Sequence, residues 1–252
     1  MIELKTASER EAMGRAGRVV AGLLQRLATL IRPGMRTKEL DQEALAYLRQ
    51  AGAAPAFLGY RGFPASICVS INDEVVHGIP GVRQICDGDL VSLDAGAVIQ
   101  GFYADAAITV GIGGIPPQTK RLQETTRRAL EAGIAQAVVG HRVSDISYAV
   151  QQTVEREGFG VVRDFVGHGI GRALHEDPPI PNFGPPHMGP RLREGMVIAI
   201  EPMVTLGGYE VQILEDGWTA VTKDRSLAAH FEHTIAITDR GPEVLTASAG
   251  AA

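Results

Sequence analysis

The stretch that decides the fold is LVSLDAGAVIQGFYADAAITV, residues 90–110, in which two strand-like segments flank a turn signal at Gln100-Gly101. Their β-branched character and the two-residue turn predict an antiparallel hairpin. Such a turn pairs Asp94 with Ala107 and places Asp105 diagonally on the same face. A lone aspartate in a strand usually caps a turn or reaches solvent. Two carboxylates that face each other repel, so this pair indicates a cation between them.

Two more acidic residues lie inside strand-like segments, where an uncompensated charge is costly. Glu201 stands in VIAIEPMV (197–204) and Glu232 in HFEHTIAI (230–237). Each could be a buried carboxylate paired with an arginine, and equally each could be a metal ligand. With His168, the four carboxylates form a set of one nitrogen and many oxygens. That set is typical of a divalent pair such as manganese, iron or cobalt rather than of a structural zinc.

Helical periodicity before the hairpin predicts two helices. The first opens on a capping box of Ser8 and Glu11 and ends at Pro33-Gly34. The second covers 37–50 and stops at Gly52. Short β-branched segments, ICVSI among them, then predict strands between residues 67 and 109.

The same order of elements recurs in the second part of the chain. Helical patterns at 117–139 and at 144–157, the latter opening on Ser144, precede strand-like segments from GVVRDFV (160–166) to FEHTIAIT (231–238). This doubled order indicates one domain, 1–252, with two similar halves of roughly 1–112 and 113–246. The Ala/Gly/Ser-rich tail after Thr246 is expected to fray.

Composition restricts the class of protein. The 252 residues with 45% hydrophobic content suffice for one globular domain with a sizeable core. A net charge of -5 without a basic run argues against nucleic-acid and anionic-membrane partners. Two cysteines, Cys68 and Cys86, are too few for a disulfide framework, and neither a signal peptide nor a membrane-spanning run is evident. We therefore expect a cytoplasmic protein, with Cys86 merely packed.

Five ordered blocks carry a family resemblance that covers nearly the whole chain: VVHGIP (75–80), DAGAVIQGFYADAAIT (94–109), GHGIGRALHEDP (167–178), AIEPMV (199–204) and FEHTIAIT (231–238). Together they resemble the methionine aminopeptidases of the bacterial type I kind. The resemblance implies an α+β pita-bread fold, in which two pseudo-symmetric halves of helices on antiparallel sheet enclose a central dinuclear metal site.

The resemblance also implies roles for individual residues. One divalent ion would bind Asp94 and the other His168 and Glu201, while Asp105 and Glu232 would bridge both; cobalt, manganese, iron and zinc are the candidate metals. Glu201 would in addition shuttle a proton to the leaving amine. Among the catalytic histidines, His77 would contact the substrate backbone and His175 would stabilise the oxyanion.

An apolar pocket for the methionine side chain is implied in the same way. The matching positions are Tyr60, Phe63, Cys68, Trp218 and Leu174, with His77 and His175 completing the substrate site and Phe57 nearby. Each could also be an ordinary core residue. Leu174 departs from the family pattern, because many relatives carry an aromatic residue there.

The implied activity is removal of the initiator methionine from nascent polypeptides whose second residue is small. Expected partners are N-terminal Met peptides and nascent chains, with the ribosome exit region as a further candidate, and the protein is expected to be a monomer. Prolidase-like enzymes are one alternative, but they usually carry an additional N-terminal domain. A phosphate-binding glycine loop at GHGIG is another, but the sequence lacks the last glycine of that motif. A binding protein on the same scaffold would be expected to have lost ligands that are retained here.

Overall fold

The computed structural model describes residues 1–248 of the chain. The described part contains four α-helices: α1 (Ala7–Leu30), α2 (Thr37–Gln50), α3 (Pro117–Ala135) and α4 (Val143–Glu155). All four lie where helical periodicity predicts them, although α3 ends four residues before the predicted boundary. Of the tail predicted to fray, residues 249–252 lie outside the described part.

Fifteen strands are found within residues 1–248. Those of the first half are β1 (Ala54–Pro55), β2 (Ile67–Ile71), β3 (Glu74–Val76), β4 (Leu90–Ile99) and β5 (Phe102–Gly111). Those of the second half are β6 (Gly160–Val161), β7 (Gly167–Gly169), β8 (Glu176–Ile180), β9 (Val197–Ile200), β10 (Met203–Thr205), β11 (Val211–Ile213), β12 (Ala220–Thr222), β13 (Ala228–His230), β14 (Glu232–Thr238) and β15 (Gly241–Val244).

One antiparallel sheet of nine strands draws on both halves of the chain. Its main path runs β1-β4-β5-β14-β9-β7-β8, with β2 paired to β4 and β15 paired to β14. Two three-stranded sheets, β13-β10-β6 and β11-β12-β3, complete the described part. The central hairpin, β4–β5, is therefore joined directly to the second half through the pairing of β5 with β14.

The predicted register of the central hairpin is confirmed. Asp94 pairs with Ala107, and Asp105 pairs with Gly96 two positions along the same face. The turn at Gln100-Gly101 has φ values of 53° and 78°. These left-handed dihedrals match the primed turns that fit the twist of two-residue hairpins.

Two helix starts differ from the predictions. The capping box of α1 is formed by Thr6 and Glu9, whose carboxylate accepts from the Thr6 backbone N–H at 2.9 Å, so the Ser8 prediction was wrong. Thr6 has the extended backbone of a cap residue, whereas Ser8 already lies inside the helix. Likewise, α4 begins one residue before Ser144, with the carboxylate of Asp145 accepting from the backbone N–H at the cap.

The helices pack on the sheets around several buried apolar clusters. Helix α1 contacts both strands of the central hairpin, while α3 and α4 pack on each other and on strands of the second half.

The segment GVVRDFV forms a strand only at its first two residues, so the longer prediction was wrong. None of the helices in residues 1–248 is long and apolar enough to cross a membrane.

Helix α1 provides a test of how tightly the chain is packed. A Cβ at Gly17 would lie 2.7 Å from the Leu245 carbonyl carbon, whereas one at Gly14 would lie 3.5 Å from an Arg18 nitrogen. Overpacking against backbone should make Gly17→Ala destabilising by about 1–3 kcal/mol. The control Gly14→Ala should gain up to about 1 kcal/mol from helix propensity. Urea unfolding followed by circular dichroism measures both, and equal effects of the two substitutions would contradict this packing.

Candidate active site

The register of the large sheet brings the predicted ligands together from five strands that are neighbours in the path. Asp94 on β4 pairs with Ala107 on β5, and Ala107 pairs in turn with Glu232 on β14. Asp105 therefore lies on the same face as both acids. Glu201 directly follows Ile200, the last residue of β9. Because Ile200 pairs with His233, the neighbour of Glu232, Glu201 extends the row of acidic residues past the end of β9. Strand β7 then contributes His168.

Distances confirm that these side chains converge. Ligand atoms of Asp105, His168 and Glu232 all lie within 4.8 Å of one another. The Nε2 atom of His168 is 3.5 Å from Asp105 Oδ2 and 3.6 Å from Glu201 Oε1. Its Nδ1 atom lies 2.9 Å from the carbonyl oxygen of Gly169, which can only accept. Nδ1 therefore carries the proton, and the lone pair of Nε2 faces the carboxylates.

Burial and mutual repulsion disfavour the charged forms of these acids. Burial raises the pKa of Asp105 to about 6, and the hydrogen bond from Thr234 partly opposes this shift. The pKa values of Asp94, Glu201 and Glu232 are also well raised, first by burial and then by neighbouring carboxylates. Burial lowers the pKa of His168 to about 4. The cluster thus needs positive charge if its carboxylates are to be ionised at neutral pH.

No arginine or lysine within residues 1–248 supplies that charge, since none forms an ion pair with any of the four carboxylates. The alternative of arginine-paired carboxylates is therefore wrong for the described residues. Asp94 Oδ1 is moreover buried without a hydrogen-bond partner. A set of one imidazole and four carboxylates with an orphaned oxygen fits divalent cations.

Around this cluster the structure forms one cavity, which all but one of the predicted site residues line. Phe57, which was named only as a neighbour, also lines it, and so does Arg61, which sequence reasoning missed. Leu174 does not line the cavity but lies buried in the apolar cluster that contains Phe57 and Phe63. The lining residues are Phe57, Tyr60, Arg61, Phe63, Cys68, His77, Asp94, Asp105, His168, His175, Glu201, Trp218 and Glu232.

Two further histidines face the cavity. The ring of His175 lies 4.2 Å from that of His168, and its Nδ1 is 2.8 Å from the Tyr60 hydroxyl. Burial and the neighbouring His168 lower the pKa of His175 to about 4, so the ring is neutral at pH 7. His77 adopts a left-handed φ of 62° and packs edge-on against Phe165. Burial lowers its pKa as well.

An aromatic wall lines the remainder of the cavity. Phe63 and Trp218 meet edge to face at 5.1 Å. Cys68 is buried beside them, and burial together with nearby carboxylates raises the pKa of its thiol, so it stays protonated. This agrees with a wall residue rather than a nucleophile. Cys86 is exposed, so its predicted packing role was wrong.

Two residues near the site carried only weak sequence signals. Arg61 lies in a 3-10 turn (Tyr60–Gly62) at φ 49°, with its guanidinium carbon 5.4 Å from the centre of the Tyr60 ring. Its position between two glycines in an aromatic loop was the available signal. His230 is buried with an unpartnered Nε2 that lies 3.9 Å from Glu201 Oε2. It adjoins a recognised block, but one buried histidine predicts little by itself.

Comparison with known proteins identifies the family. The model of metallopeptidase family M24 matches residues 11–239. The methionine aminopeptidase of Clostridium perfringens is 50% identical over 98% of this chain and 99% of its own length. Methionine aminopeptidase 1 of Bacillus subtilis is 52% identical over the same shares. The chain belongs to the methionine aminopeptidases of family M24.

A solved structure of this family agrees with the architecture. The crystal structure of methionine aminopeptidase from Thermotoga maritima superimposes with a TM-score of 0.96 at 49% identity, covering 98% of this chain and 99% of that one. The fold is accordingly the α+β pita-bread fold, as the resemblance implied. The curled antiparallel sheet with its buried Asp105, His168 and Glu232 cluster is the part of that fold on which a metallopeptidase depends.

Proposed function

We propose that this protein removes the initiator methionine from nascent polypeptides and Met-initiated peptides, using two divalent ions per chain. The observation that carries the proposal is the row of four carboxylates in the cavity, to which no arginine or lysine of residues 1–248 is paired. Relatives at about half identity over nearly the full length, all methionine aminopeptidases by name, support it. Cobalt, manganese, iron and zinc are the candidate metals.

The family resemblance implies how the ligands divide between two ions. We assign Asp94 to one ion and His168 with Glu201 to the other, with Asp105 and Glu232 between both. When bound, the ions supply Lewis acidity toward the scissile carbonyl and lower the pKa of a water nucleophile. The orphaned Asp94 Oδ1, and the Nε2 lone pair of His168 that faces the carboxylates, support ligand roles for these two residues.

The protein groups around the ions then handle protons and charge. Glu201 lines the cavity 3.6 Å from His168 Nε2, and its carboxylate is assigned to accept a proton from the water nucleophile and deliver it to the leaving amine. His175 is neutral and can donate from Nε2 to the developing oxyanion when the Tyr60 hydroxyl donates to Nδ1. His77, held by its left-handed backbone, is assigned to the substrate backbone near the scissile amide.

We propose the aromatic wall as the binding pocket for the methionine side chain. Thioether sulfur makes favourable contacts with aromatic rings, and Tyr60, Phe63 and Trp218 supply such rings. Cys68 completes this pocket. Leu174 does not line the cavity; it packs behind the wall, in the apolar cluster that also contains Phe63.

The biological setting is proposed on less direct grounds. We infer a cytoplasmic monomer that acts on nascent chains, with the ribosome exit region as a candidate partner and no nucleic-acid site of its own. Two free cysteines support the cytoplasmic location, and a net charge of -5 argues against a nucleic-acid site. We further propose that residues 1–252 form one catalytic unit, with halves of roughly 1–112 and 113–246.

Metal removal tests the proposed function most directly. Because the carboxylate row needs cations, dialysis against a chelator should abolish methionine release from a Met-Ala-Ser peptide. Readdition of Mn²⁺, Co²⁺ or Fe²⁺ should restore it. Release is measured by chromatography, with metal content determined in the same samples. Full turnover in a verified metal-free preparation would contradict the proposal.

Substrate preference provides a second test. In this family the subsite for the second residue is narrow, so Met-Gly peptides should be cleaved faster than Met-Leu peptides. One methylene more or less in an apolar pocket corresponds to about 10- to 200-fold in kcat/KM, so the much larger leucine side chain should lose at least that much. Peptides of identical sequence after the second residue are the matched substrates. Equal kcat/KM values for the two would contradict a small-residue preference.

His168 and His175, which both lie in the glycine-rich segment GHGIGRALHEDP (167–178), should respond differently to substitution by alanine. His168→Ala removes a ligand and should weaken Mn²⁺ binding in calorimetric titration as well as lower kcat. His175→Ala should keep its Mn²⁺ affinity while kcat falls by about 10²- to 10³-fold, the loss typical of one oxyanion donor. If both variants lost Mn²⁺ equally, His175 would have to be reassigned as a ligand or a structural residue.

A further inference from the structure

A buried lysine that does not line the cavity contacts the turn that carries His175. The side chain of Lys5 is only 3% exposed, and its Nζ lies 2.6 Å from Glu176 Oε2. Its other acidic neighbour, Glu3, is 3.4 Å away and 64% exposed. Lysine is almost never buried unless paired, so Glu176 is the partner that permits this burial.

The other oxygen of Glu176 closes the turn itself. Oε1 accepts from the backbone N–H groups of Arg172, at 2.8 Å, and Ala173, at 3.1 Å. One carboxylate thus bonds simultaneously to the start of the turn and to Lys5. His175 precedes Glu176 in the chain, so its backbone is fixed at the end of the same closed turn.

Lys5 is itself held in place from two sides. Its backbone N–H donates to Gly195 O at 2.6 Å, and Arg10 Nη1 donates to the Lys5 carbonyl at 3.1 Å. The side chain reaches the turn because residue 171 is glycine: a Cβ there would lie 2.6 Å from Nζ. The N-terminal segment therefore serves as a fixed anchor for the turn.

We propose that Lys5 and Glu176 are a positioning pair, which holds the turn of residues 171–176 so that the His175 ring stays bonded to Tyr60 and directed at the cavity. Neither residue lines the cavity, so the pair acts through His175. The proposal rests on the proposed role of His175 and adds the means by which that histidine is held.

Lys5→Met keeps the apolar stem and removes the charge, leaving Glu176 without its counter-ion. We expect kcat to fall by about tenfold or more with KM changed by less than about threefold, because the donor acts in the transition state. Mn²⁺ affinity by calorimetry should be unchanged. Glu3→Gln is the matched control, since it removes only the exposed acidic neighbour of the same lysine, and it should leave kcat unaltered.

A double-mutant cycle separates positioning from general destabilisation. If Lys5 acts through His175, Lys5→Met should cost nothing further in a His175→Ala background. An undiminished loss of kcat in that background would overturn the proposal. Should Lys5→Met fail to fold, Glu176→Gln breaks the charge pair while keeping an oxygen that can accept from the turn, and the same cycle applies.

Hydrogen exchange of the Arg172 and Ala173 amides reports the turn independently of catalysis. Exchange should accelerate at both amides in Lys5→Met and stay at the wild-type rate in Glu3→Gln. Wild-type exchange in Lys5→Met would overturn the positioning pair. Full kcat in His175→Ala alone would instead count against the proposed role of His175, so the two failures are told apart.

Discussion

The constraint on which the rest of the structure depends is the repulsion among four carboxylates held on one face of a single sheet. Each loses hydration on burial, and no arginine or lysine in the described part of the chain is paired with any of them to offset that loss. In real proteins the penalty is several kcal/mol for each buried ion. The fold must therefore hold these groups against their mutual repulsion by other contacts, and the row is stable as anions only with cations between its members.

Much of that holding is done by hydroxyl and amide groups that do not line the cavity. Thr234 lies 3.0 Å from Asp105 Oδ1, and Asn182 donates to the Glu201 carbonyl oxygen at 3.0 Å. Gly169 fixes the tautomer of His168 through its carbonyl group. Such supporting groups orient these three proposed ligands, as hydrogen-bond partners around a metal site commonly do.

The sequence predicted the elements whose physics is local. The register of β4 and β5 followed from a two-residue turn and strict alternation, and this alone placed Asp94 and Asp105 on one face. The capping box of α1 was misplaced, because Thr6 and Ser8 are both acceptable caps and only the backbone conformation distinguishes them. Leu174 was placed in the pocket by analogy of position, whereas its burial beside Phe57 depends on packing between distant segments.

What local patterns could not predict is the seam between the halves, the contact of β5 with the β13–β14 segment, and the site is assembled across it. Asp94 and Asp105 come from the first half, while His168, Glu201 and Glu232 come from the second. The Thr109 hydroxyl donates to the His230 carbonyl oxygen at 2.7 Å and accepts from the His230 backbone N–H at 2.8 Å. The Thr234 hydroxyl on β14 donates to the Asp105 carbonyl oxygen on β5. Each such bond contributes about 1 kcal/mol, yet together they fix the spacing between ligands more than 100 residues apart. In the unfolded chain this contact is absent and the carboxylates are not held together. Cation binding therefore stabilises the contact of β5 with the β13–β14 segment, and the contact in turn strengthens cation binding.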